Sequence, residues 1–203
     1  MLAIALTRSP VNNAYDVIDL QQGTTEWHEW RSHGIGGSDA PAIMGENPWK
    51  TATQLLLEKL GTGQKQATNA AMARGTALEP EARKQYEMLR KICVAPACLQ
   101  STAHEWQRAS VDGLAANGSM VVEIKCGEST YRKTAGSRQV PDYYIGQLQH
   151  ILAVTGLSHI DFFCWLPKLP EIHLRIERDD RYIARLVVAE QAFWRLIRQK
   201  REQ

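Results

Sequence analysis

Apolar and polar positions recur with two periods along this chain, and the switches between them mark the expected elements. The run TTEWHEWRSHG predicts a short helix, capped by Thr24 or Thr25 and closed by Gly34. Trp27, Trp30 and Arg31 share one face of it. TATQLLLEKL, residues 51–60, predicts a second helix ended by Gly61. A longer helical pattern covers 70–91, and Pro80 either starts a helix near Leu78 or kinks a longer one. Tyr144, Leu148, Ile151 and Leu152 recur at helical spacing within 142–154, and 179–199 reads as a C-terminal amphipathic helix. Strand signals lie at 92–99 (an edge strand, because of Pro96), 106–112, 120–125, 159–167 and 171–176. Residues 1–22 read as an irregular lead-in and 127–142 as a loop. The sum is an α/β fold, a central mixed β-sheet flanked by helices, in a single domain over residues 1–203.

Charge adds little to this picture. A formal net charge of +2 leaves any nucleic-acid surface to local clustering, such as Arg132, Lys133 and Arg138. Cys93, Cys98, Cys126 and Cys164 form no C-x-x-C pair, which argues against structural zinc and for reduced thiols. The six histidines show no metal-ligand spacing. The six tryptophans are scattered and read mainly as core or subunit contacts. MLAIALTRSP lacks the basic start and apolar length of a signal peptide, and no run reaches membrane-spanning length, so a cytoplasmic protein is expected.

The chemistry concentrates in Ser110–Lys125, SVDGLAANGSMVVEIK. Asn117-Gly118 signals a hairpin, and MVVEIK a strand on which Glu123 and Lys125 leave the same face. The hairpin can return Asp112 to Glu123. Two adjacent carboxylates repel unless a cation lies between them, and oxygen ligands suit Mg2+ or Mn2+. Pattern alone also describes an ordinary surface strand, with Val122 and Ile124 buried and the charges solvated. The glycine-rich GIGGSDAPAIMG ends at Ser38 and Asp39, either of which can cap a following helix; it fits neither the dinucleotide fingerprint nor a P-loop.

Asp112 followed by Glu123-x-Lys125 resembles the PD-(D/E)xK (restriction-endonuclease-like) nuclease superfamily, with Val111 where proline is usual. The order of further motifs resembles the phage lambda exonuclease and YqaJ viral recombinase family: WHEWR at 27–31 followed by Ser38, ARG at 73–75 with Glu79, SVDGL at 110–114, EIKC at 123–126, Gln147-Leu148-Gln149, and IERDDRY at 176–182.

The resemblance implies roles. Asp112, Glu123 and the Ile124 main-chain carbonyl would bind the metal, with Glu79 completing the cluster. Lys125 would orient and help deprotonate water, and Gln147, ahead of Gln149, would hold the nucleophile or the water shell. Arg31, Ser38 and Ser110 would bind a DNA 5′-phosphate, with Arg132 beside Lys133 as a further contact. It also implies a Mg2+-dependent 5′-to-3′ exonuclease, with Mn2+ as a substitute. Such an enzyme acts on linear double-stranded DNA, releases mononucleotides and leaves 3′ overhangs for a single-strand annealing protein. A homotrimeric ring, encoded by a phage or prophage in a bacterial host, belongs to the same expectation. The rival readings are an endonuclease of the same fold and a catalytically silent DNA-binding subunit.

Overall fold

The computed structural model describes residues 6–8, 14–63 and 70–202. One sheet organises them. Its strands run β1 (Leu6–Arg8), β2 (Tyr15–Ile18), β4 (Val94–Ser101), β5 (Gln107–Ala115), β6 (Val121–Lys125), β7 (His159–Cys164) and β8 (Ile172–Glu177), and the two-residue β3 (Ile35–Gly36) adds to β5. Pairing is antiparallel except for β6 with β7 and β3 with β5, so the sheet is mixed. The helices are α1 (Thr25–Ser32), α2 (Ala40–Ile43), α3 (Ala52–Lys59), α4 (Ala70–Arg90), α5 (Glu128–Ser137), α6 (Ile145–Thr155) and α7 (Asp180–Arg201).

Two apolar layers fix the sheet. Leu148, Ile151 and Leu152 of α6 bury against Val111, Val121, Ile160 and Phe162. Ala82 and Tyr86 of α4 bury against Val122, Ile124, Phe163 and Trp165. Consecutive residues of β6 and of β7 therefore serve opposite helices, which is why both strands read as continuous apolar runs. Helix α7 seals the side with Phe193 and Ile197 packed near Ile35 and Leu55. No helix among the described residues is long and apolar enough to cross a membrane.

Three sequence expectations need correction. The supposed irregular lead-in carries β1 and β2. Tyr15 and Ile18 are buried, so β2 is held by tertiary pairing with β4 rather than by a local signal. Strand β4 is not an edge: β2 and β5 flank it. Pro96 is tolerated because the ladder skips it. Between the pairs Ala95↔Leu114 and Ala97↔Val111, β4 has one residue, Pro96, and β5 has two, Asp112 and Gly113. This is a β-bulge, and an absent proline N–H is harmless opposite it. The loop expected at 127–142 contains α5, whose Thr130, Tyr131 and Thr134 are buried. Its polar composition hid that stripe. Helix α4 runs through Pro80 without a break, Pro80 being exposed. Most of the polar connection at 61–69 lies outside the described residues.

Candidate active site

Strand β5 has a forked edge. On the side away from β4, β3 pairs with Gln107 and Arg108, and β6 pairs with Gly113 and Leu114. Residues 109–112, which include Ser110 and Asp112, lie between the two tines. Beside the bulge, Gln22 spans β4 and β5 and donates its side-chain amide to the Val111 and Ala97 carbonyls at 3.0 and 3.2 Å. Gly113 is required at the fork, because a Cβ there would come within 2.7 Å of both Val122 and Val94 side chains.

The hairpin brings the charged groups together. Asp112 Oδ2 accepts from the Ile124 N–H at 2.7 Å. Lys125 Nζ donates to Glu123 Oε1, and Gln147 Nε2 from α6 donates to the same oxygen at 2.7 Å. Glu123 is only 2 % exposed, and its other oxygen, Oε2, is buried with no hydrogen-bond partner. Glu79 on α4 pairs with Arg83 at 2.6 Å, while Arg83 also donates to the Asp112 carbonyl at 2.6 Å. Burial, then the Glu123 charge, push Asp112 well above the carboxylate range. Burial raises Glu79 too, against the pull of Arg83 and with a push from Glu123. Burial opposes the Lys125 ammonium, but Glu123 and Asp112 outweigh it and hold it above its usual range.

These residues fit a hard divalent cation. An orphaned carboxylate oxygen at Glu123 and a repelled carboxyl at Asp112 are what a metal with oxygen ligands would relieve. Among the described residues no three His, Cys, Asp or Glu side chains form a ready-made cage. Lys125 occupies one Glu123 oxygen and Arg83 draws Glu79 aside, so the donor set is two carboxylates, with Glu79 to one side.

A pocket of about 180 Å³ adjoins Asp112 and Glu123, with Arg31, Ser38, Ser110 and Arg108 in its wall. Arg31 donates to the Ser38 hydroxyl at 2.7 Å and stacks over the Trp27 ring, 4.6 Å from its centroid. Trp27 donates its indole N–H to the Ser110 hydroxyl at 2.8 Å. Arg108 lies over the Trp30 ring and donates to the Trp30 carbonyl; burial lowers it to about 10, so it stays cationic at neutral pH. Two guanidinium groups and two hydroxyls in so small a space suit a phosphate. Gln147 also lines this pocket and so joins it to the carboxylates.

Other residues stand apart. Gln149 is buried and fastens α6 to the β8–α7 junction, donating to the Glu177 carbonyl and accepting from the Asp179 N–H, each at 2.9 Å. His150, fully buried, links Glu190 at 2.6 Å to the Arg108 carbonyl at 2.8 Å, which sets α6 against β5. Arg132 is 77 % exposed, pairs with Glu128 at 2.6 Å, and borders a different cleft with Arg74 and Lys168.

Residues 26–158 match the model of the YqaJ-like viral recombinase domain. The chain belongs to this family. It is 32% identical over 176 residues to the protein YqaJ of Bacillus subtilis, covering 83% of this chain and 54% of that protein. It is 27% identical to protein R354 of Acanthamoeba polyphaga mimivirus, covering 74% of this chain and 31% of that protein. The chain thus spans about half or less of the length of these relatives. Among solved structures, the alkaline exonuclease LHK-Exo of Laribacter hongkongensis superposes with a TM-score of 0.76 at 30% identity, covering 88% of this chain and 95% of that one. That enzyme has also been solved in complex with dAMP. A phage-related exonuclease of Haemophilus somnus shares the fold at a TM-score of 0.56 and 14% identity. The YqaJ-like chain therefore has the PD-(D/E)xK nuclease fold.

Within that frame, sequence reading missed Trp27, Gln22 and Arg108 as parts of the site. Arg108 had a signal, since it alternates with Ser110 and Asp112 along β5. Trp27 had one as well, lying four residues before Arg31. Gln22 had none.

Proposed function

We propose that the chain is a divalent-cation-dependent 5′-to-3′ exonuclease on linear duplex DNA. The observation that carries the reading is the contact of two groups of residues. The carboxylates Asp112 and Glu123, with Lys125 and Gln147, stand beside a small pocket holding Arg31, Ser38 and Ser110. A pocket of that volume accepts a phosphate but not a continuing strand, so the site reads an end.

Arg31, Ser38 and Ser110 seat the terminal 5′-phosphate and set the next phosphodiester at Asp112. Asp112, Glu123 and the Ile124 carbonyl, with Glu79 nearby, would hold Mg2+, for which Mn2+ can substitute. When bound, the cation supplies positive charge to the scissile phosphate and acidifies water. Lys125 orients the attacking water and stabilises the charge it gains, and Gln147 holds Glu123 in place. Water adds to phosphorus, the P–O3′ bond breaks, and the leaving 3′ oxygen takes up a proton. The phosphate stays on the next nucleotide as a new 5′-phosphate, and a mononucleotide departs. The shortened strand leaves a 3′ overhang, which suits a single-strand annealing partner. The likeness to the phage lambda exonuclease family supports a homotrimeric ring, acting in the cytoplasm of a bacterial host.

Digestion of end-labelled linear and closed circular duplexes, with and without Mg2+, tests this reading. Mononucleotides from the 5′-labelled linear strand alone are expected. Nicking of circles would make the protein an endonuclease, and no cleavage of either would make it a binding subunit.

A further inference from the structure

A second cleft, of about 550 Å³, opens on the other side of the carboxylates. It shares Asp112 with the phosphate pocket and is lined near the chemistry by Glu79 and Lys125. Three aromatic rings lead outward from the lysine. Lys125 Nζ lies 4.9 Å from the Tyr144 ring centroid; Tyr143 stands 4.7 Å from Tyr144, and Trp49 stands 4.8 Å from Tyr143 at 74°. Trp49 is 63 % exposed, an unusual placement for a large apolar ring. It is nevertheless held: Asn47 Oδ1 accepts from the backbone N–H of both Trp49 and Lys50, at 2.8 and 3.0 Å. Nothing in the proposed hydrolysis uses these rings.

The geometry points to a nucleobase-stacking subsite formed by Trp49 and Tyr143, which takes the base of the second nucleotide, the one whose 5′-phosphate is being cut. This deepens, and rests on, the nuclease reading. With the terminal phosphate against Arg31 and the scissile phosphate at Asp112, the first nucleoside lies between the two sites. The small pocket is filled by the terminal phosphate, and the strand continues from Asp112 into the larger aromatic cleft. Every base offers a π-face, so aromatic walls hold a strand without reading its sequence. Charge is placed to match. Lys133 Nζ lies 5.0 Å from the Tyr143 centroid at the rim. Beyond the rim, a third cleft shares Cys126 and Gly127 and carries Arg74, Arg132 and Lys168, with Glu128 as the opposing charge. Arg132 then serves the continuing backbone rather than the terminal phosphate.

The test removes the base and the ring separately and together. Initial release of the first nucleotide is measured on 5′-phosphorylated linear duplexes carrying either a normal second nucleotide or an abasic tetrahydrofuran there, for the wild type, Trp49→Ala and Trp49→Phe. In the wild type the abasic site should lower kcat/KM roughly tenfold, in the range of one stacked base. Trp49→Ala should lose about as much on normal DNA and at most about twofold more on the abasic strand. Trp49→Phe should recover most of the loss. A second full tenfold loss for Trp49→Ala on abasic DNA would overturn the subsite, because ring and base would then act independently. So would light scattering that shows Trp49→Ala breaking the wild-type particle apart, which would make the ring a contact between copies. A wild type that releases nothing from any linear end removes the nuclease reading and the subsite together; an active wild type with independent losses removes the subsite alone.

Discussion

Trp27 and Ser110, 83 positions apart, are joined by a 2.8 Å hydrogen bond from the indole N–H to the serine hydroxyl. The same ring supports the Arg31 guanidinium. One side chain on α1 thus places two groups of the phosphate pocket. Trp27→Phe keeps the support and removes the donor. It should lower kcat/KM on 5′-phosphorylated ends roughly three- to tenfold, the worth of one hydrogen bond, with a smaller effect on 5′-hydroxyl ends. Equal losses on both ends would show that Ser110 does not read the phosphate.

Lys125 bridges Glu123 and the water it would orient. Lys125→Ala should reduce single-turnover cleavage by roughly 10²- to 10⁴-fold, as for loss of a group that moves a proton. Binding to a fluorescent duplex end, followed by anisotropy in Mg2+, should persist. Cleavage within tenfold of the wild type would remove Lys125 from the chemistry.

Asp112 is held near Glu123 at an electrostatic cost, which a cation would relieve. Asp112→Asn should raise the Tm without divalent ions by about 2–4 °C, for relief of roughly 1 kcal/mol in a chain of this size. It should also abolish most of the Mg2+-dependent rise in Tm shown by the wild type. Differential scanning fluorimetry across a Mg2+ titration reads both. An undiminished Mg2+ response would place the cation elsewhere.

Asp161 lies outside the site as a buried carboxylate ringed by cationic side chains. It is fully buried, accepts from Tyr86 at 2.8 Å, and lies within ion-pair reach of His173 Nε2 at 2.9 Å and of Arg90 and Arg175, each at 3.4 Å. The His173 contact is close but off the hydrogen-bond axis, since that nitrogen has no aligned acceptor. Burial would raise the carboxyl, but His173, Tyr86 and Arg90 overcome it and lower it to about 2. An acid depressed on folding stabilises above its unfolded value, near 3.9, and loses that stabilisation as pH falls through the folded value. Asp161→Asn should therefore cost roughly 2 kcal/mol at pH 7, and the gap should close to about half of that at pH 3. Urea midpoints at the two pH values check it; a gap that does not narrow would show that the loss is packing, not charge.

Much of this was legible in the chain. The helical period gave α3, α6 and α7 nearly to their ends, because each buries a regular apolar stripe. Period two placed Glu123 and Lys125 together, and Asn117-Gly118 announced the turn that returns Asp112 to them. The fork was not legible: β3 is two residues of a glycine-rich segment, paired to residues 72 positions later. Helix α5 was hidden because a short stripe of Thr130, Tyr131 and Thr134 does not look apolar. Strand β2 exists through long-range pairing with β4, which no local window contains, and β1 through pairing with β2.

The bulge in β5 has one further consequence. Val111 and Leu114 both pack against the same core although an odd number of positions separates them, because Asp112 and Gly113 together stand opposite the single Pro96. The ladder does not need the extra residue. Losing either residue restores plain alternation between β4 and β5, but losing Asp112 also removes the carboxylate, while losing Gly113 keeps it. One residue that the sheet can spare is thus the one that carries a carboxylate of the candidate site.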